Sequence, residues 1–321
     1  MPEMSAGPGE LPRLPGALRS ASVSRFSLVL VLSFSLAASS FFTLKVAEHF
    51  GFTLTAPSVG AQAAGSVQSA SGGGTIAPPV SEAGPVAIPS PTLLAAGTVK
   101  LPILMYHYVR IAPAGDTLGF NLSVTPTNFV AQMTWLRDHG YTTVTMHDAV
   151  RMIEGEIPMP AKPIALTFDD GYRDFYTAAA PVLKSLGLTG TNFIPTRLIG
   201  LPAYMTWQMV QQLDSEGFEM AAHTEFHVAL KGNSPARVDQ EVFGSRDDLQ
   251  SHLGHPVLDF AYPYGSYDNA AIAVIKEAGF ESAVTTNPGM SHDPSQLYVL
   301  TRVRVGGGEG IDYWSRTFGG S

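Results

Sequence analysis

The sequence contains no cysteine among its 321 residues. This absence excludes disulfide bonds, thiolate metal ligands, a cysteine nucleophile and a lipid-modified cysteine. Charged residues are also scarce, at 14% of the chain, and their balance is acidic, with a net charge of −8. Nucleic-acid binding depends on clustered lysine and arginine, which displace counterions from phosphates. The composition therefore argues against a nucleic-acid partner.

The few charges are unevenly distributed along the chain. Residues 51–99 carry one charged side chain, Glu82, and are rich in alanine, glycine, serine and proline, with no periodicity that would bury one face. Such a composition is typical of a flexible tether, so we interpret residues 45–99 as a disordered linker. Residues 1–99 contain four acidic and four basic residues, so the net charge of −8 belongs to the remainder of the chain.

An uncharged run of 19 residues, 26–44, precedes the linker. About 20 apolar residues span a bilayer as a helix, and the arginines before this run mark their side as cytoplasmic. We therefore predict a cytoplasmic tail over residues 1–25, a transmembrane signal anchor over 26–44, and a domain of residues 100–321 held at the cell membrane outside the cytoplasm. A cleaved signal peptide is the alternative, because the small residues 37–40 suit a cleavage site. The protein would then be secreted.

The domain of residues 100–321 alternates short apolar runs with amphipathic segments. The predicted strands are the runs LPILMY, PIALTF, TNFIP, FEMAA, LDFAY, ESAVTT and LTRVRV. The predicted helices cover residues 128–139, 178–186, 205–216, 236–253 and 269–278. A glycine closely follows each predicted helix, as is typical of helix carboxyl ends. This alternation predicts an α/β domain with a parallel sheet, open or closed, whose working residues lie beyond the carboxyl ends of the strands.

Several predicted strands end in polar side chains. His107 follows LPILMY, Asp169 and Asp170 follow PIALTF, and His223 follows FEMAA. The spacing of four between His223 and His227 lets both imidazoles reach one ion, and two nitrogens with one carboxylate suit Zn²⁺. We expect Asp170, His223 and His227 to bind Zn²⁺, with Co²⁺ or Ni²⁺ as alternatives. Asp169 is then free to act as a base on water that the ion activates.

The segments TFDDGYRD, HTEFHVAL and AYPYGSYD, in this order and at these distances, resemble the polysaccharide deacetylase family. This family is carbohydrate esterase family 4, and its domain is the NodB homology domain. The resemblance covers essentially all of the predicted domain. It implies a distorted barrel of seven or eight β/α units and metal-dependent removal of acetyl groups from N-acetylated sugars. By motif, it implies that Asp169 is the catalytic base and that Asp170, His223 and His227 bind the metal. The backbone N–H of Tyr264 would stabilise the oxyanion.

Two features depart from the family pattern. The third motif usually opens with an arginine that orients the base, and that position is Ala261 here. We expect Arg302 or Arg304, on the last predicted strand, to hold Asp169 instead. The family's Leu-x-His motif near the carboxyl terminus, which supplies the general acid, is not evident, and His292 does not fit it.

The start of the domain offers a replacement for the missing acid. The segment LMYHYV is similar to the branch of the family that acts on poly-β-1,6-N-acetylglucosamine, in which the acid histidine comes from the beginning of the domain. The resemblance therefore implies that His107 is the general acid. The alternative is a buried histidine whose hydrogen bonds are satisfied by the protein.

These observations predict an exported, membrane-tethered N-deacetylase that releases acetate and leaves glucosamine units. Poly-β-1,6-N-acetylglucosamine is the preferred interpretation of the substrate, and peptidoglycan is the alternative. A glycan-binding module without activity is a second alternative, because the motif arginine is lost. Aromatic and proline side chains that are candidates to contact the sugar are Tyr172, Trp207, Tyr262 and Pro263.

Overall fold

The computed structural model describes residues 97–319. The strands are β1 (Val99–Lys100), β2 (Ile103–Tyr106), β3 (Tyr108–Val109), β4 (Ser123–Val124), β5 (Thr142–Val144), β6 (Pro163–Phe168), β7 (Thr191–Ile194), β8 (Glu219–Ala222), β9 (Asp259–Ala261), β10 (Ser282–Pro288), β11 (Ser291–His292) and β12 (Leu300–Arg304). The α-helices are α1 (Thr117–Leu122), α2 (Pro126–Asp138), α3 (Met146–Glu154), α4 (Ala180–Ser185), α5 (Trp207–Ser215), α6 (Pro235–Leu253), α7 (Asn269–Glu277) and α8 (Ile311–Phe318).

Seven parallel strands form a closed ring in the order β2, β12, β10, β9, β8, β7 and β6, and β6 pairs back with β2. The closure places Ile103 opposite Ala165 and Tyr106 opposite Phe168. The short strand β5 pairs in parallel with the first half of β6. The predicted α/β barrel is therefore confirmed. The sequence did not decide between an open and a closed parallel sheet, and the structure shows a closed one.

Alternation of side chains along the strands explains the two layers of the core. Ala165, Phe193 and Ala221 belong to a buried cluster inside the ring. Their strand neighbours Leu166 and Ile194 belong to the larger cluster that packs against the helices. Strands covered on both faces are expected to be apolar almost throughout, and all six residues of β6 are buried. Because several inward positions are alanine, the ring has interior space for larger side chains.

The helices begin and end where the sequence places capping residues. Side-chain oxygens of Thr125, Thr206, Ser234 and Asp268 accept hydrogen bonds from backbone N–H groups in the first turns of α2, α5, α6 and α7. Such caps satisfy donors that have no partner within the helix. The five predicted helices are confirmed within a few residues. The one before residue 186 is shorter as an α-helix than predicted, because residues 175–179 form a π-helical turn ahead of it.

The predicted tail and signal anchor, residues 1–25 and 26–44, and nearly all of the predicted linker lie outside the described residues. Within residues 97–319, no helix has both the length and the apolar character needed to cross a bilayer.

A buried polar cluster lies at the amino end of the barrel. Glu219 opens β8, and its carboxylate accepts from the N–H of Met146 at 2.6 Å and the hydroxyl of Thr191 at 2.7 Å. Asp259 opens β9, is 1% exposed, and accepts from the hydroxyl of Ser282 at 2.5 Å. Burial, together with the neighbouring Glu219 carboxylate, raises the pKa of Asp259 well above its usual value. Asp259 therefore keeps its proton at pH values where an ordinary aspartate is ionised.

This proton links stability to pH. The folded state holds the proton of Asp259 more tightly than the unfolded chain does, so the contribution is complete below the unfolded pKa and is lost as pH rises toward the folded one. In Asp259→Asn, the amide can still donate a hydrogen bond but is neutral at every pH, so no proton has to be taken up on folding. We expect Asp259→Asn to raise Tm at pH 8, by about 2–4 °C for each kcal/mol gained. The gain should vanish near pH 4 in calorimetric unfolding. A mutant equally or less stable than wild type at pH 8 would contradict the protonated state.

Candidate active site

The carboxyl end of the barrel gathers the polar residues that follow three strands. His107 follows β2, Asp169 and Asp170 follow β6, and His223 follows β8. Both aspartates and His223 are buried, with 3%, 7% and 2% of their surfaces exposed. Burying ionisable groups side by side is costly unless each has a partner. The partners of these groups therefore define what the site can do.

Asp169 is paired with Arg302, which reaches it from β12. The Nη1 and Nη2 atoms of Arg302 donate to the two carboxylate oxygens of Asp169, each at 2.7 Å. The same guanidinium donates to the carbonyl of Thr285 and the hydroxyl of Thr167. Burial by itself raises the pKa of Asp169, but the charge and hydrogen bonds of Arg302 outweigh it, so the pKa lies below the usual value. Asp169 is thus held as a carboxylate inside the protein.

Of the two arginines predicted for this position, the structure brings Arg302 and not Arg304 to Asp169. Residues two apart on a strand share a face and are separated by about 6.6 Å. That distance places Arg304 nearer the carboxyl end of the ring, opposite Met105 of β2, where its side chain is exposed. Ala261, at the family's arginine position, packs inside the ring with Ala165. The guanidinium therefore comes from a different strand than in the family pattern.

Asp170, His223 and His227, here called the metal triad, converge on one point. The Oδ1 atom of Asp170 lies 3.4 Å from Nε2 of His223 and 3.0 Å from Nε2 of His227. Ligand atoms arranged tetrahedrally around Zn²⁺ lie about 3.4 Å apart, so this spacing suits a shared cation. Within residues 97–319, this is the one group of three histidine or carboxylate side chains close enough to share an ion. Burial raises the pKa of Asp170, but the contacts with both histidines outweigh it and hold the pKa well below its usual value.

The Nδ1 atoms of both histidines are fixed on the far side of each ring. Nδ1 of His223 donates to the carbonyl of Ala261 at 2.7 Å, and Nδ1 of His227 lies within hydrogen-bond distance of the hydroxyl of Tyr264, at 3.2 Å. A histidine whose Nδ1 carries the proton presents the lone pair of Nε2 to a cation. Two such nitrogens and one carboxylate are accepted by Zn²⁺ and also by Co²⁺ or Ni²⁺. The residues therefore fit a divalent metal.

The backbone of the site is strained at four positions. Among the described residues, those other than glycine with a left-handed φ are Asp170 at 75°, Thr224 at 66°, His227 at 56° and Tyr264 at 60°. All four lie in the three motif segments. Such conformations cost free energy and persist where the surrounding structure imposes them, as at active sites. The surrounding structure therefore holds the backbone of these segments in conformations that their residues would not adopt on their own.

Tyr264 lies in the tight turn that follows β9. The N–H groups of Gly265 and Ser266 donate to the carbonyls of Tyr262 and Pro263, whereas no backbone carbonyl of the described chain accepts from the N–H of Tyr264. The hydroxyl of Tyr264 touches His227 of the metal triad. Its backbone N–H is thus a fixed donor in the same turn, and such donors stabilise a developing oxyanion when they are aimed at it.

His107 lies close enough to Asp169 and Asp170 to feel both carboxylates. Burial lowers the pKa of His107, and the two carboxylates oppose that effect without cancelling it. Its Nδ1 atom has no hydrogen-bond partner within the described part of the chain. Protein groups therefore do not satisfy this nitrogen, and the general-acid role of His107 stays a prediction. An imidazole with an unpaired nitrogen can carry a proton to or from a ligand.

His292 is at the other end of the molecule. It lies on β11, which pairs with β1 ahead of the first barrel strand, and its Nε2 contacts the carbonyl of Leu101 at 2.9 Å. The amino ends of the barrel strands lie on that side. His292 therefore does not reach the residues at the carboxyl end, which agrees with its failure to fit the family motif.

Tyr108, Tyr172 and Tyr204, here called the tyrosine row, stack beside Asp170. The ring centroids of Tyr108 and Tyr172 lie 3.8 Å apart, and Tyr204 lies 5.2 Å beyond. The guanidinium of Arg110 lies 3.4 Å from the other face of Tyr108. Neighbours cover both faces of Tyr108 and Tyr172, so these two offer hydroxyls and ring edges to a ligand. Sequence reasoning missed Tyr108, although its position directly after His107 was a usable signal.

The structure corrects two of the predicted sugar contacts. Tyr262 is fully buried and its hydroxyl donates to the carbonyl of Tyr298, while Pro263 is buried beneath the turn. Trp207 opens α5, in the helix layer, and its ring stacks on His252 with centroids 3.7 Å apart. The prediction of a sugar-binding side chain is wrong for Tyr262 and Pro263, because neither reaches solvent. For Trp207 it stays a prediction, because His252 covers one face of a ring that is only partly buried.

Comparisons with known proteins identify the family. A family model described as polysaccharide deacetylase matches residues 156–283. A Bacillus subtilis protein named as a candidate polysaccharide deacetylase is 33% identical over 209 residues, which are 65% of this chain and 72% of that protein. The poly-β-1,6-N-acetyl-D-glucosamine N-deacetylase of Escherichia coli is 26% identical over 227 residues, which are 57% of this chain but 34% of that protein.

A solved structure shares the fold. The Streptococcus pyogenes deacetylase PplD, determined in complex with acetate, is 29% identical with a TM-score of 0.65, over 69% of this chain and 99% of that one. The identity to the Bacillus relative, together with the share of that relative that is covered, shows that the chain belongs to the polysaccharide deacetylase family, whose members are hydrolases of amide C–N bonds.

Proposed function

We propose that this polysaccharide deacetylase is a metal-dependent N-deacetylase acting on poly-β-1,6-N-acetylglucosamine, with Zn²⁺ as its metal. The observation that carries the proposal is the placement of a buried, arginine-paired carboxylate, Asp169, directly beside the metal triad. The name of the E. coli relative supports the substrate. The sequence of the first barrel strand and its histidine supports the same branch of the family.

The roles of the residues follow from their partners. A divalent cation held by the metal triad supplies a Lewis acid for the acetamide carbonyl and for the attacking water. Asp169, kept ionised by Arg302, accepts the proton of that water. The backbone N–H of Tyr264 donates to the carbonyl oxygen as that oxygen becomes negatively charged. The C–N bond then breaks to give acetate and the amine.

His107 delivers the proton that the leaving nitrogen needs. Burial lowers the pKa of His107, and a lower pKa makes its imidazolium a stronger acid toward a weakly basic nitrogen. The unpaired Nδ1 leaves the ring free to interact with substrate. Beside it, the tyrosine row presents hydroxyls, which hydrogen-bond readily to sugar hydroxyls and acetamide groups.

We further propose that the enzyme works outside the cytoplasm, tethered to the cell membrane by residues 26–44 through the linker. The uncharged run, the preceding arginines and the low-complexity linker support this location. N-acetylated polymers of the kind proposed as substrate are outside the cell, which fits the same arrangement. Cleavage of the first segment would give a secreted enzyme with the same chemistry.

The full-length enzyme should release acetate from β-1,6-linked N-acetylglucosamine oligomers. We expect a chelator to abolish release, Zn²⁺ or Co²⁺ to restore it, and Asp169→Asn to remove it while metal remains bound. Acetate would be measured by a coupled assay and metal by atomic absorption. Faster release from peptidoglycan would reassign the substrate. Release that a chelator leaves untouched would contradict the metal triad's role.

The acid role of His107 predicts a leaving-group effect. An amine must be protonated to leave, whereas nitrophenolate leaves without a proton. His107→Asn should therefore lower kcat on the acetamide by about 10²–10⁴-fold but lower hydrolysis of 4-nitrophenyl acetate far less. Asp169→Asn is the matched control and should impair both substrates. Equal losses on the two substrates in His107→Asn would assign His107 a different role.

The ion pair of Asp169 predicts a shift in the pH profile. Arg302 holds the pKa of Asp169 below its usual value, so wild-type kcat/KM should persist to low pH. In Arg302→Met, burial is opposed only by the smaller effects of His223 and His107. The pKa of Asp169 should therefore rise, the acid limb should move to higher pH, and kcat at pH 7 should fall by about 10²-fold or more. Arg302→Lys, which keeps the charge, should shift it less, and the control Arg137→Met, whose half-exposed side chain pairs with Asp138 on α2, should leave kcat unchanged. An unmoved acid limb in both Arg302 variants would contradict the argument.

A further inference from the structure

The two histidines of the metal triad lie on one short segment, residues 223–227, here called the ligand loop. Two of its five residues, Thr224 and His227, have left-handed backbone conformations, at φ 66° and 56°. Left-handed conformations are unfavourable for residues other than glycine. Without contacts that impose this shape, the loop would relax and the two imidazoles would separate. Contacts from the rest of the protein must therefore hold the loop in this conformation.

The strongest constraint on the ligand loop comes from the helix layer. Glu241, in the second turn of α6, is fully buried. Its Oε2 atom accepts hydrogen bonds from the backbone N–H groups of Glu225 and Phe226, both at 2.9 Å. Its Oε1 atom is paired with Arg237 one turn earlier at 2.5 Å. One carboxylate thus fixes two consecutive peptide groups between the two metal ligands.

The other side of the loop is held as well. The N–H groups of Thr196 and Arg197 donate to the carbonyls of Thr224 and Glu225. The side chain of Glu225 folds against α6, where a Cβ atom on Gly244 would lie 2.6 Å from its carboxyl carbon. The glycine on the helix therefore allows the close approach that brings the loop N–H groups within reach of Glu241.

We propose that Glu241 is a positioning residue for the metal site, acting through the ligand loop and not by contact with metal or substrate. This inference rests on the proposed metal dependence. A loop already held in its binding conformation spends none of the binding free energy on ordering, so the metal binds more tightly. Outer-shell partners of metal ligands typically change metal affinity by about 10–100-fold when removed. The imidazoles of His223 and His227 already have hydrogen-bond partners of their own. Glu241 fits such a role by holding the backbone between them.

The test measures the Zn²⁺ affinity of the metal-free full-length protein by competition with a chromophoric chelator. Glu241→Ala should weaken the Kd by about 10–100-fold. Glu241→Gln keeps the size and one acceptor oxygen, but its amide must turn an NH₂ group either toward Arg237 or toward the loop. It should weaken the Kd by a smaller factor. Co²⁺ absorption bands of the variants should differ from wild type, since they report the ligand arrangement.

A matched control separates positioning from general stabilisation. Glu219 is also a carboxylate that accepts two consecutive backbone N–H groups, those of Met146 and His147, but it lies at the opposite end of β8 from the ligand loop. Glu219→Gln should lower the Tm of the metal-free protein and leave the Zn²⁺ Kd unchanged. An unchanged Kd in both Glu241 variants, with wild type binding normally, would overturn the inference. Absence of binding by wild type would instead refute the proposed metal dependence.

Discussion

The buried ion pair between Asp169 and Arg302 is the constraint on which the site depends. Removing two charges from water costs several kcal/mol, and the cost is recovered only with good geometry and satisfied hydrogen bonds. Here two parallel bonds of 2.7 Å join the groups, and Thr285 and Thr167 take further donors of the guanidinium. The pair connects β6 with β12, which are neighbours only through β2. It therefore requires the closed ring, and the inward alanines leave room for it.

The ion pair between Asp169 and Arg302 also gives the adjacent carboxylates of Asp169 and Asp170 different roles. Asp169 and Asp170 follow one another in the chain, and both are nearly buried. Arg302 neutralises the first from inside the barrel, and two imidazoles face the second from the loop after β8. The left-handed turn at Asp170 sends the two side chains in different directions. One carboxylate is thus available as a base while the other is available to a cation.

The sequence predicted the parts of this arrangement that depend on strand ends. A polar residue directly after an apolar run must lie at the carboxyl end of its strand, so Asp170 and His223 were predictable. The wrong predictions concerned which face of a strand a side chain occupies, the inside of the ring or the helix layer. Ala261 points into the ring, so its neighbour Tyr262 must face the helices and is buried there. Glu241 was not predictable, because a glutamate within an amphipathic helix gives no sign that it binds the backbone of a loop 15 residues away.

Neighbouring carboxyl groups are stabilised in different ways at the two ends of the barrel. At each end two carboxyl groups lie close together with at least one of them buried, which is unfavourable if both are ionised. At the amino end, where no arginine or imidazole joins the hydrogen bonds of Asp259, a raised pKa keeps that group protonated beside Glu219. At the carboxyl end, Arg302 and the histidines lower the pKa of both aspartates instead. A carboxyl group that keeps its proton is neither a base nor a ligand for a cation, whereas two ionised carboxylates can accept a proton and a cation. The choice of neighbours, not of carboxylates, therefore determines which end of this barrel can carry out hydrolysis.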